Sequence, residues 1–208
     1  MAGRLQAFGG ALLDLAFPPR CPACGDAPLP GSPFCALCEG AVDPAPDGPD
    51  GVRAGALFGG PIADAIHALK YGDRAEAAAP LGRWLAGRVI VPPGSRVVWV
   101  PLARGRRIGR GYDQAMLLAF AFARAAGLRL LRGAIRRVRE TPPQVGRDRA
   151  ARARNVEGAF AASKGVAGQD LVLIDDVVTT GATVTAVSRA LREAGARSIT
   201  VVALARAE

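Results

Sequence analysis

Residues 171–183 read LVLIDDVVTTGAT. Leu171 to Ile174 is a short, wholly apolar run, the pattern of a central strand buried on both faces. Asp175 and Asp176 follow at its carboxyl end, where open α/β sheets hold their ligands. The turn Val178, Thr179, Thr180, Gly181, Ala182 and Thr183 comes next, with a glycine that allows close backbone approach and threonines that offer hydroxyls. Val184, Val187, Leu191 and Ala194 then repeat at helical spacing, and Gly195 is placed to end that helix. Residues 199–204 supply a further strand, so the stretch predicts a β-loop-α-β unit of a mostly parallel sheet. Free amides at the helix N-terminus favour a phosphate. No lysine follows the glycine, so this is not the triphosphate loop with its Gly-Lys-Ser/Thr ending. Two adjacent carboxylates suit the vicinal hydroxyls of a ribose instead. The alternative is a plain capped helix beside a solvated strand end.

Upstream, residues 97–100 read as a second buried strand ended by Pro101. An arginine-rich loop with Arg104, Arg106, Arg107 and Arg110 is expected after it. From about Tyr112 a helix is expected to bury Met116, Leu117, Phe120 and Ala123. Guanidinium forks bind phosphate oxygens bidentately, so Arg104, Arg107 and Arg110 are candidates for a pyrophosphate; a solvated basic loop is the alternative. Residues 140–160 are polar, charged and proline-bearing, the composition of a lid or a linker before a strand near Phe160. Gln144, Arg147, Arg152 and Asn155 are its candidate ligand-closing residues.

The four cysteines stand as Cys21-Pro-Ala-Cys24 and Cys35-Ala-Leu-Cys38. Each pair can present two thiolates to one ion, and Gly25 eases the turn after the first. The spacing fits a tetrahedral four-thiolate zinc site with no position open to substrate, hence a structural one. Two disulfides are the alternative, disfavoured by the lack of a recognisable export signal. The Pro-, Gly- and Asp-rich stretch after Cys38 sets a boundary near Asp43 to Gly51.

The net charge of +9 favours an anionic partner, although solubility alone also accounts for it. No apolar run reaches the length of about 18 residues that a membrane-spanning helix needs. Leu5, Phe8, Leu12, Leu13 and Phe17 fit a helical stripe ended by Pro18-Pro19, and a cytoplasmic location is expected.

The motif at 171–183 resembles the signature of type I phosphoribosyltransferases. That resemblance implies binding of phosphoribosyl pyrophosphate (PRPP), with Asp175 and Asp176 as catalytic candidates on the ribose and residues 178–183 on its 5-phosphate. Over nearly the whole chain, PPRCPACG, the second CxxC, HALKYGDR, VPLARGRRIGRGYDQA, TPPQ, R-x-x-N-V and the 171–183 motif resemble the ComF family in order. The family implies a four-cysteine zinc-ribbon module, here residues 1–50, joined to a phosphoribosyltransferase-type domain, here 51–208. It also implies magnesium with PRPP, transfer through an oxocarbenium-like state to an acceptor that is not legible, and a link to natural transformation. Single-stranded DNA and competence proteins are then candidate partners. The rival reading is a protein that handles single-stranded DNA and keeps a regulatory or vestigial PRPP pocket. His67, the only histidine, reads as a packed or surface residue, with general base as the alternative. Lys70 and Tyr71 match the family segment without a mechanism; Trp84 and Trp99 read as core.

Overall fold

The apolar run at 171–174 lies inside β6 (Asp170–Val178), a strand buried among parallel neighbours. The computed structural model of the protein describes residues 18–46, 51–139 and 156–207. In chain order its elements are α1 (Ala36–Gly40), β1 (Arg53–Leu57), α2 (Gly60–Tyr71), α3 (Ala78–Ala86) and β2 (Arg96–Trp99). Then come α4 (Arg104–Arg110), α5 (Gln114–Ala125), β3 (Arg129–Leu130), β4 (Ile135–Arg137) and β5 (Phe160–Ala162). After β6 follow α6 (Ala182–Glu193) and β7 (Ser198–Arg206). The main sheet has the order β1-β7-β6-β2-β3, all pairs parallel, and β4 and β5 form a separate antiparallel pair. This is an α/β architecture with a mostly parallel sheet flanked by helices, as the 171–183 stretch predicts.

Strand alternation divides the core in two. Val172 and Ile174 face one layer, with Val97, Leu204, Leu81, Leu118 and Phe122; Leu171 and Leu173 face the other, with Val98, Val184, Val187 and Leu191. Leu171, Val172, Leu173 and Ile174 are each at most 1% exposed, so neither face of β6 could carry a polar residue there without large cost. The α6 stripe is as the periodicity predicts, and Gly195, at φ 90°, ends the helix by returning Gly195 N–H to Arg192. The strand expected near Phe160 is β5.

Two expectations are corrected. The arginine stretch is not a loop: Arg104–Arg110 is a short helix closed by Gly111 at φ 78°, whose N–H donates to Arg107 O. Gly105 and Gly109 lower helix propensity and hide it from a sequence reading. The buried face of α5 is also different, since Phe120 is 51% exposed and Met116 and Leu117 are only half-buried, while Ala115, Leu118, Ala119 and Phe122 are buried. The segment is apolar all round, so periodicity does not choose a side. Contact with α3 chooses it: a Cβ on Gly82 would lie 2.6 Å from Ala121 Cβ and 2.8 Å from Leu118 O. The N-terminal stripe from Leu5 to Phe17 lies outside the described residues.

The cysteine segment packs against the first layer through α3. Phe34 meets Trp84 edge-on with ring centroids 5.6 Å apart, and the Arg88 guanidinium lies 4.1 Å over the Trp84 ring. Glu39 accepts from Trp84 Nε1, from Arg88 and from the Ser32 hydroxyl. These donors and the Arg88 charge outweigh the effect of burial and hold its carboxyl below the usual range. Arg74 donates to the carbonyls of Arg20 and Cys21 from the other side. Trp84 is thus a packed joint, as its reading as core requires.

Candidate functional site

β6 outlasts its neighbour on one side. β2 pairs with it only as far as Trp99↔Ile174, whereas β7 stays paired to Val178↔Arg206. Asp175 and Asp176 therefore lie past the end of β2 while the strand that carries them is still fixed. β2 continues through α5 on one face of the sheet and β6 through α6 on the other, so the chain diverges between these two strands. Such a crevice, at the carboxyl ends of diverging parallel strands, is where open α/β sheets hold ligands. The α4 helix with its arginines follows β2 in the chain.

The turn after β6 is held by Gly181, at φ 74°, a left-handed conformation that a side chain would strain. It forms the N-terminal boundary of α6, and Thr185 N–H donates to Gly181 O, leaving first-turn amides free for an anion. Asp175 and residues 177–184 line one concave surface, which brings the first carboxylate and all six turn residues, Val178 through Thr183, together.

Because successive strand residues point to opposite faces, the two acids occupy different surroundings. Asp175 is half-buried on the α6 side, and its Oδ1 accepts from the Asp176 amide at 2.9 Å. Burial, then the neighbouring Asp176 charge, push its carboxyl up to about 8. Asp176 is buried on the α2 side. Its Oδ1 pairs with Lys70 Nζ at 2.9 Å, and its Oδ2 accepts from Gln114 Nε2 at 2.8 Å. Sequence reasoning left Lys70 without a role and did not single out Gln114.

The last turn of α2 is held at three successive residues. Tyr112 OH donates to Leu69 O at 2.6 Å, Lys70 pairs with Asp176, and the Arg110 guanidinium lies 4.9 Å over the Tyr71 ring. Asp113 braces the same region by accepting from the Leu102 and Met116 amides, while burial raises its carboxyl. Of the three arginines singled out, Arg104 and Arg107 are exposed and Arg110 is half-buried against Tyr71. His67 is exposed and packs against Tyr71 with tilted rings, their centroids 4.9 Å apart. Gln144, Arg147, Arg152 and Asn155 lie outside the described residues.

The four cysteines meet as their spacing predicts. Their sulfur atoms all lie within 4.8 Å of one another, with Cys24 and Cys35 at 3.5 Å. Gly25, at φ 87°, turns its N–H back onto Cys21 O. Burial pushes the Cys21 thiol up, but amides at Cys24, Cys35 and Ala23 outweigh it and bring it to about 7; burial and the three other thiols push Cys38 up. Four thiols at such range crowd unless a cation accepts them, and the cluster could hold a metal. The backbone here is turns and α1, with no strand among the described residues of the segment.

The parallel sheet, its diverging carboxyl edge and the Gly181 turn fit the phosphoribosyltransferase fold, and residues 118–208 match the phosphoribosyl transferase domain family. The chain is 32% identical over 193 residues to the DNA utilization protein YhgH of Escherichia coli O6:H1 (strain CFT073), covering 89% of this chain and 83% of that one. It is 38% identical over 114 residues to Competence protein F of Haemophilus influenzae (strain ATCC 51907 / DSM 11121 / KW20 / Rd), covering 53% and 50%. Among solved structures it is similar to a glutamine PRPP amidotransferase from B. subtilis, at 26% identity and a TM-score of 0.46, over 62% of this chain and 26% of that one. With the cysteine cluster in place, the chain belongs to the ComF family. No helix among the described residues is long and apolar enough to cross a membrane.

Proposed function

We propose that the chain binds PRPP with magnesium and acts as a phosphoribosyltransferase-type protein in the handling of incoming DNA. One observation carries the reading: Asp175 and the Gly181 turn share a concave surface at the point where the sheet's connections diverge. In this reading the amides and hydroxyls of residues 178–183 hold the 5-phosphate, and Asp175 and Asp176 address the ribose hydroxyls. The negative charge of Asp176 favours the cation that develops as the bond to pyrophosphate breaks, while Asp175, its carboxyl raised to about 8, serves as a hydrogen-bonding partner of a ribose hydroxyl. Arg104, Arg107 and Arg110 are assigned to the departing pyrophosphate, whose oxygens guanidinium forks bind well. Magnesium would neutralise pyrophosphate oxygens, and no side chain is assigned to it. Gln144, Arg147, Arg152 and Asn155 are proposed to close over the bound ligand.

Zinc is the proposed occupant of the four cysteines, with a structural role because sulfur fills every tetrahedral position. A thiolate set that must stay reduced fits the cytoplasm. The names of the relatives support the link to DNA utilization and competence.

The pair of substitutions Asp175→Asn and Asp176→Asn tests the site. Calorimetric titration with PRPP and magnesium should give heat for the parent and none for the folded double variant. Equal heats would remove the assignment. The net charge of +9 supports a second reading, a single-stranded-DNA-handling protein with a regulatory or vestigial pocket. DNA binding that falls steeply with salt and ignores PRPP would favour it.

A further inference from the structure

We propose that Lys70 is a specificity-determining residue, and that Lys70, Asp176 and Gln114 together read a hydroxyl on the furanose ring of the ligand. The inference rests on the sugar-phosphate reading given above and concerns the face of that site opposite the Gly181 turn.

The chemistry of the three groups points to a hydroxyl. Asp176 uses Oδ1 for Lys70 and Oδ2 for Gln114, and each oxygen keeps a further lone pair. Lys70 has three N–H donors and spends one on Asp176. Its side chain is 21% exposed against 7% for Asp176, so Lys70 is the more accessible partner of the pair. Gln114 is buried, and its Oε1 has no hydrogen-bond partner among the described residues. Donors and acceptors therefore stand side by side. A phosphate oxygen could use only the donors and would be repelled by Asp176. A hydroxyl donates once and accepts as well, so it satisfies both kinds of group.

The position of Lys70 is also fixed in advance. Tyr112 OH holds the carbonyl of Leu69 at 2.6 Å, and Arg110 covers the ring of Tyr71 at 4.9 Å. The lysine between them is held from both flanks, so less of its rotamer freedom remains to be lost when a ligand arrives. A ring carbon without its hydroxyl would leave these polar atoms unpaired, and sites built to bond a hydroxyl discriminate strongly against such analogues.

The test compares ribose 5-phosphate with 2-deoxyribose 5-phosphate by calorimetry on the full chain, for the parent, Lys70→Met, Lys70→Gln and Lys70→Arg. The parent should prefer the ribose compound by about 10-fold or more, the range of a hydrogen bond to a charged group. Lys70→Met should lower the ratio several-fold while the phosphate still binds, since Asp176 and Gln114 remain, and Lys70→Arg should restore part of it. Lys70→Gln carries the same expectation should the methionine variant not fold. A variant that weakens both sugars equally, or keeps the parental ratio, overturns the inference and leaves the sugar-phosphate reading standing. So does a parent that binds both sugars alike. A parent that binds neither overturns the sugar-phosphate reading, and the inference with it.

Discussion

Lys70→Met removes one partner of the buried ion pair and keeps most of the aliphatic stem. The magnitude follows from the surroundings of the pair. Breaking a fully buried pair costs about 3–5 kcal/mol, whereas a solvent-exposed pair contributes about 0–1 kcal/mol. Here Asp176 is nearly buried and Lys70 is 21% exposed, at a separation of 2.9 Å. Asp176 also keeps the Gln114 bond after the substitution, so part of its desolvation remains compensated. The expected loss is about 2 kcal/mol, between those limits. In a chain of this size that lowers the melting temperature by roughly 4–8 °C. Urea unfolding at pH 7 measures the free energy directly, with an unchanged m-value as the sign that both end states are preserved. The cycle is completed by Asp176→Asn and the double variant, in which no uncompensated charge is left. A coupling of roughly 1–2 kcal/mol is expected. Additive single effects, or a Lys70→Met loss below about 0.5 kcal/mol, typical of an ordinary surface substitution, would mean that the Lys70–Asp176 pair contributes nothing to stability.

Three further outcomes are expected. Gly82→Ala should destabilise by about 1–3 kcal/mol, because the new methyl would meet Ala121 and Leu118 inside contact distance; an unchanged urea midpoint would contradict the α3–α5 packing. Cys38→Ser should lower the zinc content per chain measured by atomic emission, and chelation of the parent should reproduce its melt; equal metal in both would rule out the four-thiolate site. Asp175→Asn should stabilise the ligand-free protein progressively from pH 4, where it has little effect, to pH 8, where the gain is up to about 5 kcal/mol. The sign follows from the raised carboxyl: between the unfolded value near 4 and the folded value of about 8 the native state binds more protons, so stability falls as pH rises. A parent and variant with parallel pH–stability curves would contradict this.

The parts of the account that were legible in the sequence are those written in local pattern. Residues 171–183 carry strand, acids, turn and helix in consecutive order, and CxxC spacing alone brings four sulfurs together. What escaped was set by contacts between distant segments. Lys70 and Asp176 belong to elements far apart in the chain, and no periodicity links them. The side of α5 that is buried depends on Gly82, which lies on another helix, because the apolar residues of α5 surround its axis. The α4 helix was concealed by Gly105 and Gly109, whose low helix propensity is overcome by closure at Gly111. The docking of the cysteine segment rests on Glu39, Trp84 and Arg88, three residues that show no motif.

The most direct test of the central claim is the response of individual backbone amides to PRPP and magnesium in a nitrogen-15 correlation spectrum of the full chain. The largest saturable shifts are expected at residues 178–184, around the Gly181 turn, with little change in the β4–β5 pair. Shifts confined to the cysteine segment, or a spectrum unchanged at saturating PRPP, would contradict that claim.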